Sequence, residues 1–242
     1  MKISKPLIFI MFVLIVGSNY AQKIKSALIG KQEWQIENLN VTTFRNGDKI
    51  LEAKTEQEWI LACENEIPAW CYYDNDPTNG AVYGKLYNWY AVVDKRGLAP
   101  IGWHVPSIKE YETLFRYLDP KTNFSPGDVI DSLSGVYQIF SSDLVGEKLK
   151  SKSGWENSVL YPNKLCGVEC NGNNLSGFNA KPSTHRNNYA YFMKINSCYF
   201  WTSITGGPWD GGYFIDIENG TNKASLNVTG PNNGLAVRCI KD

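Results

Sequence analysis

Between Tyr83 and Ser107 the chain reads YGKLYNWYAVVDKRGLAPIGWHVPS, and no other stretch limits the fold so tightly. YGKLYNWYAVV is dense in aromatic and β-branched residues, which suit a pleated, half-buried surface. It predicts buried strand or strand-like structure. LAPIGWHVPS follows with two prolines, each fixing φ and removing a donor, so the passage is irregular. Ser107-Ile108-Lys109-Glu110 then has the form of a capping box, in which hydroxyl and carboxylate each take a backbone N–H. Ile108, Tyr111, Leu114, Phe115 and Leu118 share one face at helical spacing, and Asp119-Pro120 ends the run.

The flanking segments extend this mixed pattern. IKSALIG and QEWQIENLN alternate apolar and polar residues as half-buried strands do. Asn46-Gly47 favours a tight hairpin turn, because both residues reach positive φ. Thr55 to Glu58 is another capping box, opening a short helix on which Trp59, Ile60 and Cys63 fall on one side. Packing is the expected role of Trp59. Residues 72–82 form a polar, turn-rich loop. From 121 to 185 the composition turns to Ser, Gly and Asn with few long apolar runs; DLVGEKLKS is expected as a short helix and KLCGVECNGNNLSGFNAKPS mostly as loop. CYFWTSI, GGYFIDIEN, ASLNVTG and GLAVRCIKD read as successive short strands. Without a fixed-period repeat or a Pro- or Ser-rich linker, residues 22–242 are expected to form one α+β domain.

Residues 1–21 have the pattern of a secretory signal peptide: Lys2 and Lys5, an apolar run from Leu7 to Val16, then GSNYA. The run is too short for a membrane span, which needs about 20 apolar residues. Cleavage is expected after Ala21, with no cysteine at the junction to carry lipid. The mature chain should then be soluble and secreted, in the periplasm, at the outer surface or outside the cell, with no membrane insertion after cleavage. Its 22 basic residues, two lysines fewer than the full chain, face 24 acidic ones. That balance argues against a nucleic-acid partner, which calls for a basic surface.

Six cysteines in an exported chain read first as disulfides. Counting leaves 15 connectivities open. Cys63–Cys71 and Cys166–Cys170 are close enough in sequence to staple local loops. Zinc is the rival, but no second pair repeats the Cys166–Cys170 spacing.

Catalytic chemistry is hard to find. His104 sits between Trp103 and Val105-Pro106, where bonding of its ring to a backbone carbonyl is expected. His185 reads as a surface residue of a polar loop. No nucleophile elbow, phosphate-cradling loop or HExxH is present. Asp74 and Asp76, with Asn75 and Asn79, offer oxygen ligands for calcium, but position twelve from Asp74 is Lys85 and not glutamate. A self-bonded turn is the favoured reading of that loop. Trp209, Asp210 and Tyr213 form a glycine-flanked stretch whose aromatics could stack on a sugar or anchor a protein.

Taken in order, IGKQEWQIENLN, NGDKI, WCYYDND, YGKLYNWYAVV, GWHVPS, KLKSKSGW, SGFNA, FWTSI and GLAVRCIKD resemble the Fibrobacter succinogenes major paralogous domain family over roughly Ile24 to Asp242. That family occurs in secreted and surface proteins, and its biochemical role is largely undefined. It is in turn similar to the C-type-lectin-like fold shared with formylglycine-generating enzymes. The resemblance implies a small twisted antiparallel sheet with one or two helices and long loops, the closing strand running beside those before it. It therefore implies a Cys198–Cys239 disulfide. Such a bond leaves no thiolate for oxidase chemistry, and the sugar-binding calcium motifs of true C-type lectins are missing. KPSTHRNN departs from the family, whose members usually show a glycine turn before the arginine, and the cysteines of LYPNKLCGVECNG are not family features. The expected function is a non-enzymatic surface or periplasmic module binding a glycan or protein. The alternative is an exported hydrolase acting on polysaccharide or protein through a spatial carboxylate pair.

Overall fold

The computed structural model describes residues 24–131, 135–157, 159–160, 164–165, 167–187, 189–193, 197–206 and 210–242. Strands β1 (Ser26–Ile29) and β2 (Gln32–Gln35) form a hairpin in the expected alternating segments. A tight turn at Asn46-Gly47, with Gly47 at φ 93° and its N–H on the Phe44 carbonyl, leads to β3 (Leu51–Glu52). The Thr55 capping box is present in both halves and starts α1 (Glu56–Glu64), which buries Trp59, Ala62 and Cys63. After β4 (Ala69–Cys71) come two 3₁₀ turns, α2 (Gly80–Tyr83), β5 (Leu86–Tyr87), α3 (Trp89–Val92) and β6 (Trp103–His104).

Helix α4 (Ile108–Leu118) is capped by Ser107 and buries the five residues its spacing placed on one face. The hairpin β7 (Asn123–Asp131) and β8 (Gly135–Ser142) precedes α5 (Val145–Leu149) and the short ribbon of β9 (Val159–Leu160) and β10 (Lys164–Leu165). Strands β11 (Cys198–Gly206), β12 (Gly211–Ile217), β13 (Ala224–Thr229) and β14 (Ile240–Lys241) follow.

The chain is α+β, but its sheets are more numerous than the one small sheet expected. Five strands run in the order β11-β12-β13-β8-β7, four as β1-β2-β14-β6 and three as β3-β4-β5. Among the described residues, the strands named here all pair antiparallel except β3 with β4. Strand β14 pairs with both β2 and β6, so the end of the chain closes beside its beginning. Two apolar clusters fill the interior. One gathers Trp34, Tyr111, Phe115, Phe178 and Phe200; the other gathers Tyr87, Trp89, Trp201, Leu235 and Val237. Arg238 lies buried between chain segments, donating to Asn38 Oδ1 and to the carbonyls of Gln35, Phe178 and Asn179. No helix among the described residues is long and apolar enough to cross a membrane.

Two segments differ from expectation for local reasons. YGKLYNWYAVV is buried over most of its length, yet only Leu86 and Tyr87 are strand. Asn88 accepts the Ala91 N–H and caps α3, and this side-chain bond overrides the strand preference of its neighbours. Residues 123–131 and 135–142, for which the sequence suggested no element, pair as antiparallel strands although Pro126 lies within β7. The proline is tolerated because β7 is an edge strand whose register shifts between Ser125 and Val129.

The cysteine expectations need correction. Cys63, Cys71, Cys198 and Cys239 are free and buried, so neither Cys63–Cys71 nor Cys198–Cys239 is bonded. Phe200 bridges Ala236 in parallel. Cys198 lies two residues before that bridge and Cys239 three beyond it, roughly 16 Å apart at ordinary strand rise. A disulfide needs Cα atoms within about 7 Å. Cys63 Sγ points to the Asn232 carbonyl at 3.7 Å, while the Cys71 thiol faces Arg186. Cys170 is disulfide-bonded. Cys166, expected as its partner, lies outside the described residues.

Candidate functional site

Three segments distant in sequence meet around one guanidinium. Arg186 is fully buried. Its Nε donates to the Ala190 carbonyl at 2.9 Å, one Nη to Asn75 Oδ1 at 3.3 Å and the other to the Thr55 carbonyl at 3.0 Å. The charge also lies over the Trp59 and Phe192 rings, 5.0 and 4.8 Å from their centroids. Over this group opens a cavity of about 280 Å³ lined by Glu56, Asp74, Asn75, Arg186 and Tyr191, with Ala190 and Phe192.

Local sequence dictates each wall. Glu56 follows the Thr55 cap in the first turn of α1, so its carboxylate projects to solvent at the helix start. Asp74 and Asn75 belong to the polar loop, where Asp76 accepts the Thr78 N–H and Asn79 Nδ2 donates to the Tyr73 carbonyl. Gly80 is required there, because a Cβ would come within 2.4 Å of the Tyr72 ring. The third wall is a tight reversal: Asn187 Oδ1 accepts the N–H groups of Tyr189 and Tyr191, and Arg186 bridges both Phe192 and Gly234. Tyr191, which lines the cavity, is 60% exposed, and Tyr189 in the same reversal is 68% exposed.

The backbone is strained at this place. Asp74, Asn75 and Ala190 have φ of 55°, 52° and 66°. The left-handed region costs an ordinary residue roughly 1–2 kcal/mol, and alanine has no side-chain oxygen to offset it. Such strain persists where the surroundings fix it, and functional sites are where it collects. Here a single guanidinium holds Asn75 and Ala190 together with Thr55.

The candidates read from sequence are dispersed. Asp74 reaches this cavity, but Asp76 is used in its own turn, which also holds its carboxyl below the usual range. Among the described residues no cluster of three or more His, Cys, Asp or Glu could hold a metal ion. Trp209 lies outside the described residues. Asp210 is exposed at φ 51°, and Tyr213 is buried against Gly206 beside a second cavity of about 110 Å³. Neither Asp210 nor Tyr213 lines the Arg186 cavity. His104 is bonded not to a carbonyl but to two carboxylates, Asp242 and Glu110, each at 2.7 Å. His185 is not a free surface residue: its ring packs 4.8 Å from that of Tyr199, and burial pushes its pKa down to about 4. Cys63 and Cys71 lie behind Arg186, and burial raises their thiols to about 11 and 12, so neither is a nucleophile at neutral pH.

Arg186 and Tyr191 escaped sequence reasoning, and Asn75 entered it only as an oxygen ligand beside Asp74. The available signal was a lone arginine followed by an aromatic cluster, RNNYAYF, in an otherwise polar loop.

The family model of the Fibrobacter succinogenes major domain matches residues 28–241, and the chain belongs to that family. Comparison with curated proteins returned no match, nor did comparison with solved structures.

Proposed function

We propose that this member of the Fibrobacter succinogenes major domain family is an exported, non-enzymatic module that binds a glycan in the Arg186 cavity. One observation carries the reading: three left-handed residues, two of them tied to a buried arginine, converge on a cavity lined by the exposed Tyr191. Tyrosine faces stack on the C–H faces of a sugar ring, and fixed carboxylate and amide groups take its hydroxyls. The signal-like residues 1–21 support placement outside the cytoplasm. A C-type-lectin-like architecture belongs to the same proposal, supported by the α+β composition and by β14 closing beside β2.

A protein partner fits less well, because the polar groups are gathered in a small concavity. A second reading, glycoside hydrolysis, is favoured by the presence of two carboxylates, Glu56 and Asp74, on one cavity. Retention on bacterial and plant cell-wall polysaccharides tests both. Tyr191→Ala should weaken retention roughly tenfold, the upper end of an aromatic contact, with an unchanged melting temperature. Unaltered retention would remove the cavity from the reading. Release of reducing ends by the wild type, lost in Glu56→Gln, would establish the hydrolase instead.

A further inference from the structure

Resting on that glycan reading, we infer that the cavity receives a neutral terminal sugar residue and discriminates against acidic sugars. Its volume of about 280 Å³ lies just below the usual range for ligand pockets, so it suits one ring rather than the interior of a chain. Its charges differ in depth. Glu56 and Asp74 are exposed, and their carboxylates face whatever enters. Arg186 is fully buried, and three of its N–H groups are given to Ala190, Asn75 and Thr55. The cavity thus offers acceptors to sugar hydroxyls and presents a net negative face to an anion.

The magnitude follows from Coulomb's law. Two unit charges about 6 Å apart in water alter an equilibrium roughly threefold. Two carboxylates against one occluded arginine leave one such repulsion uncompensated, so an acidic sugar should bind about threefold more weakly than its neutral counterpart at low salt. With both carboxylates neutralised, Arg186 alone sets the sign and the preference inverts. Asn at position 74 accepts the left-handed backbone as readily as Asp, so this change should not disturb the loop.

The test is calorimetric titration of the mature chain with tetrasaccharides of glucose, mannose and galactose, and with tetragalacturonate, which is the galactose chain oxidised at C6. The expected result is binding of at least one neutral chain, weakened by Tyr191→Ala, with tetragalacturonate about threefold weaker at 20 mM salt. The gap should close at 0.5 M salt, where screening is nearly complete over such distances, and reverse in the Glu56→Gln/Asp74→Asn variant. Tetragalacturonate binding as tightly as the best neutral chain, through Tyr191, would overturn the selectivity and leave the glycan reading standing. An unchanged preference in the double variant would also overturn it. Absence of binding by every tetrasaccharide would overturn the glycan reading itself, and the selectivity with it.

Discussion

Asp216 faces Tyr199 across the β11–β12 pair, and burial, aided by the like charge of Glu218, raises its carboxyl to about 7. Its Oδ1 is buried with no hydrogen-bond partner, as are Nδ1 of His185 and both amide atoms of Asn219. The His185 ring meets Tyr199, and the Asn219 N–H donates to Oγ of Ser197, which lies two residues before Tyr199, so these orphaned atoms share one neighbourhood. Each costs roughly 1–3 kcal/mol when left dry. The two titrations act in opposite senses. Asp216 binds its proton more tightly folded than unfolded, so its contribution to stability is complete below about pH 4 and is lost as pH rises through 7. His185 binds its proton less tightly folded, so its contribution is present above pH 6.5 and lost as pH falls through 4. Asp216→Asn should therefore match the wild type at pH 4 and be more stable at pH 8 by about 1–3 kcal/mol. Urea unfolding at pH 4, 6 and 8 measures this. A variant displaced by a constant amount at all three values would show that Asp216 titrates normally.

At the scale of elements, the start of α4 does more than begin a helix. Ser107 Oγ accepts the Glu110 N–H, while Glu110 Oε2 accepts both the N–H and hydroxyl of Ser107. The other oxygen of Glu110 holds His104 on β6, and His104 holds Asp242 at the C-terminal residue. Burial lowers the His104 pKa, but the two carboxylates outweigh it and raise the imidazole above its usual range. Ser107→Ala should cost about 1 kcal/mol, the common loss for such a cap, read as a lower denaturant midpoint with an unchanged slope. An unmoved midpoint would mean that the Glu110 network holds the helix start without the hydroxyl. Both capping boxes were legible because a box is complete within four residues. The cavity was not, because Arg186 meets Asn75 and Thr55 across 111 and 131 positions, separations that carry no periodic signal. Asn88 shows the intermediate case: a local cap hidden inside a run whose composition favoured strand.

At the scale of the whole molecule, six cysteines suggest a chain held by cross-links, yet four of them serve as core. Cys198 and Cys239 are fully excluded from solvent, and Cys63 and Cys71 nearly so. They belong to separate clusters: Cys63, Cys71 and Cys198 pack in the one around Trp34 and Phe200, Cys239 in the one around Trp201. Cysteine packs there as a small apolar residue, and burial holds all four thiols protonated. Thiolate is the attacking form in disulfide exchange, so the folded state protects them even in an oxidising compartment. Folded protein treated with iodoacetamide at pH 8 should therefore leave these four cysteines unmodified. Addition of guanidinium should label all four without any reductant, because no disulfide needs opening first. Non-reducing peptide mapping after the second step identifies the sites. A linked Cys198–Cys239 peptide would require the bridge at Phe200 and Ala236 to slide by about five residues, and its recovery would refute the pairing of β11 with the closing segment described above.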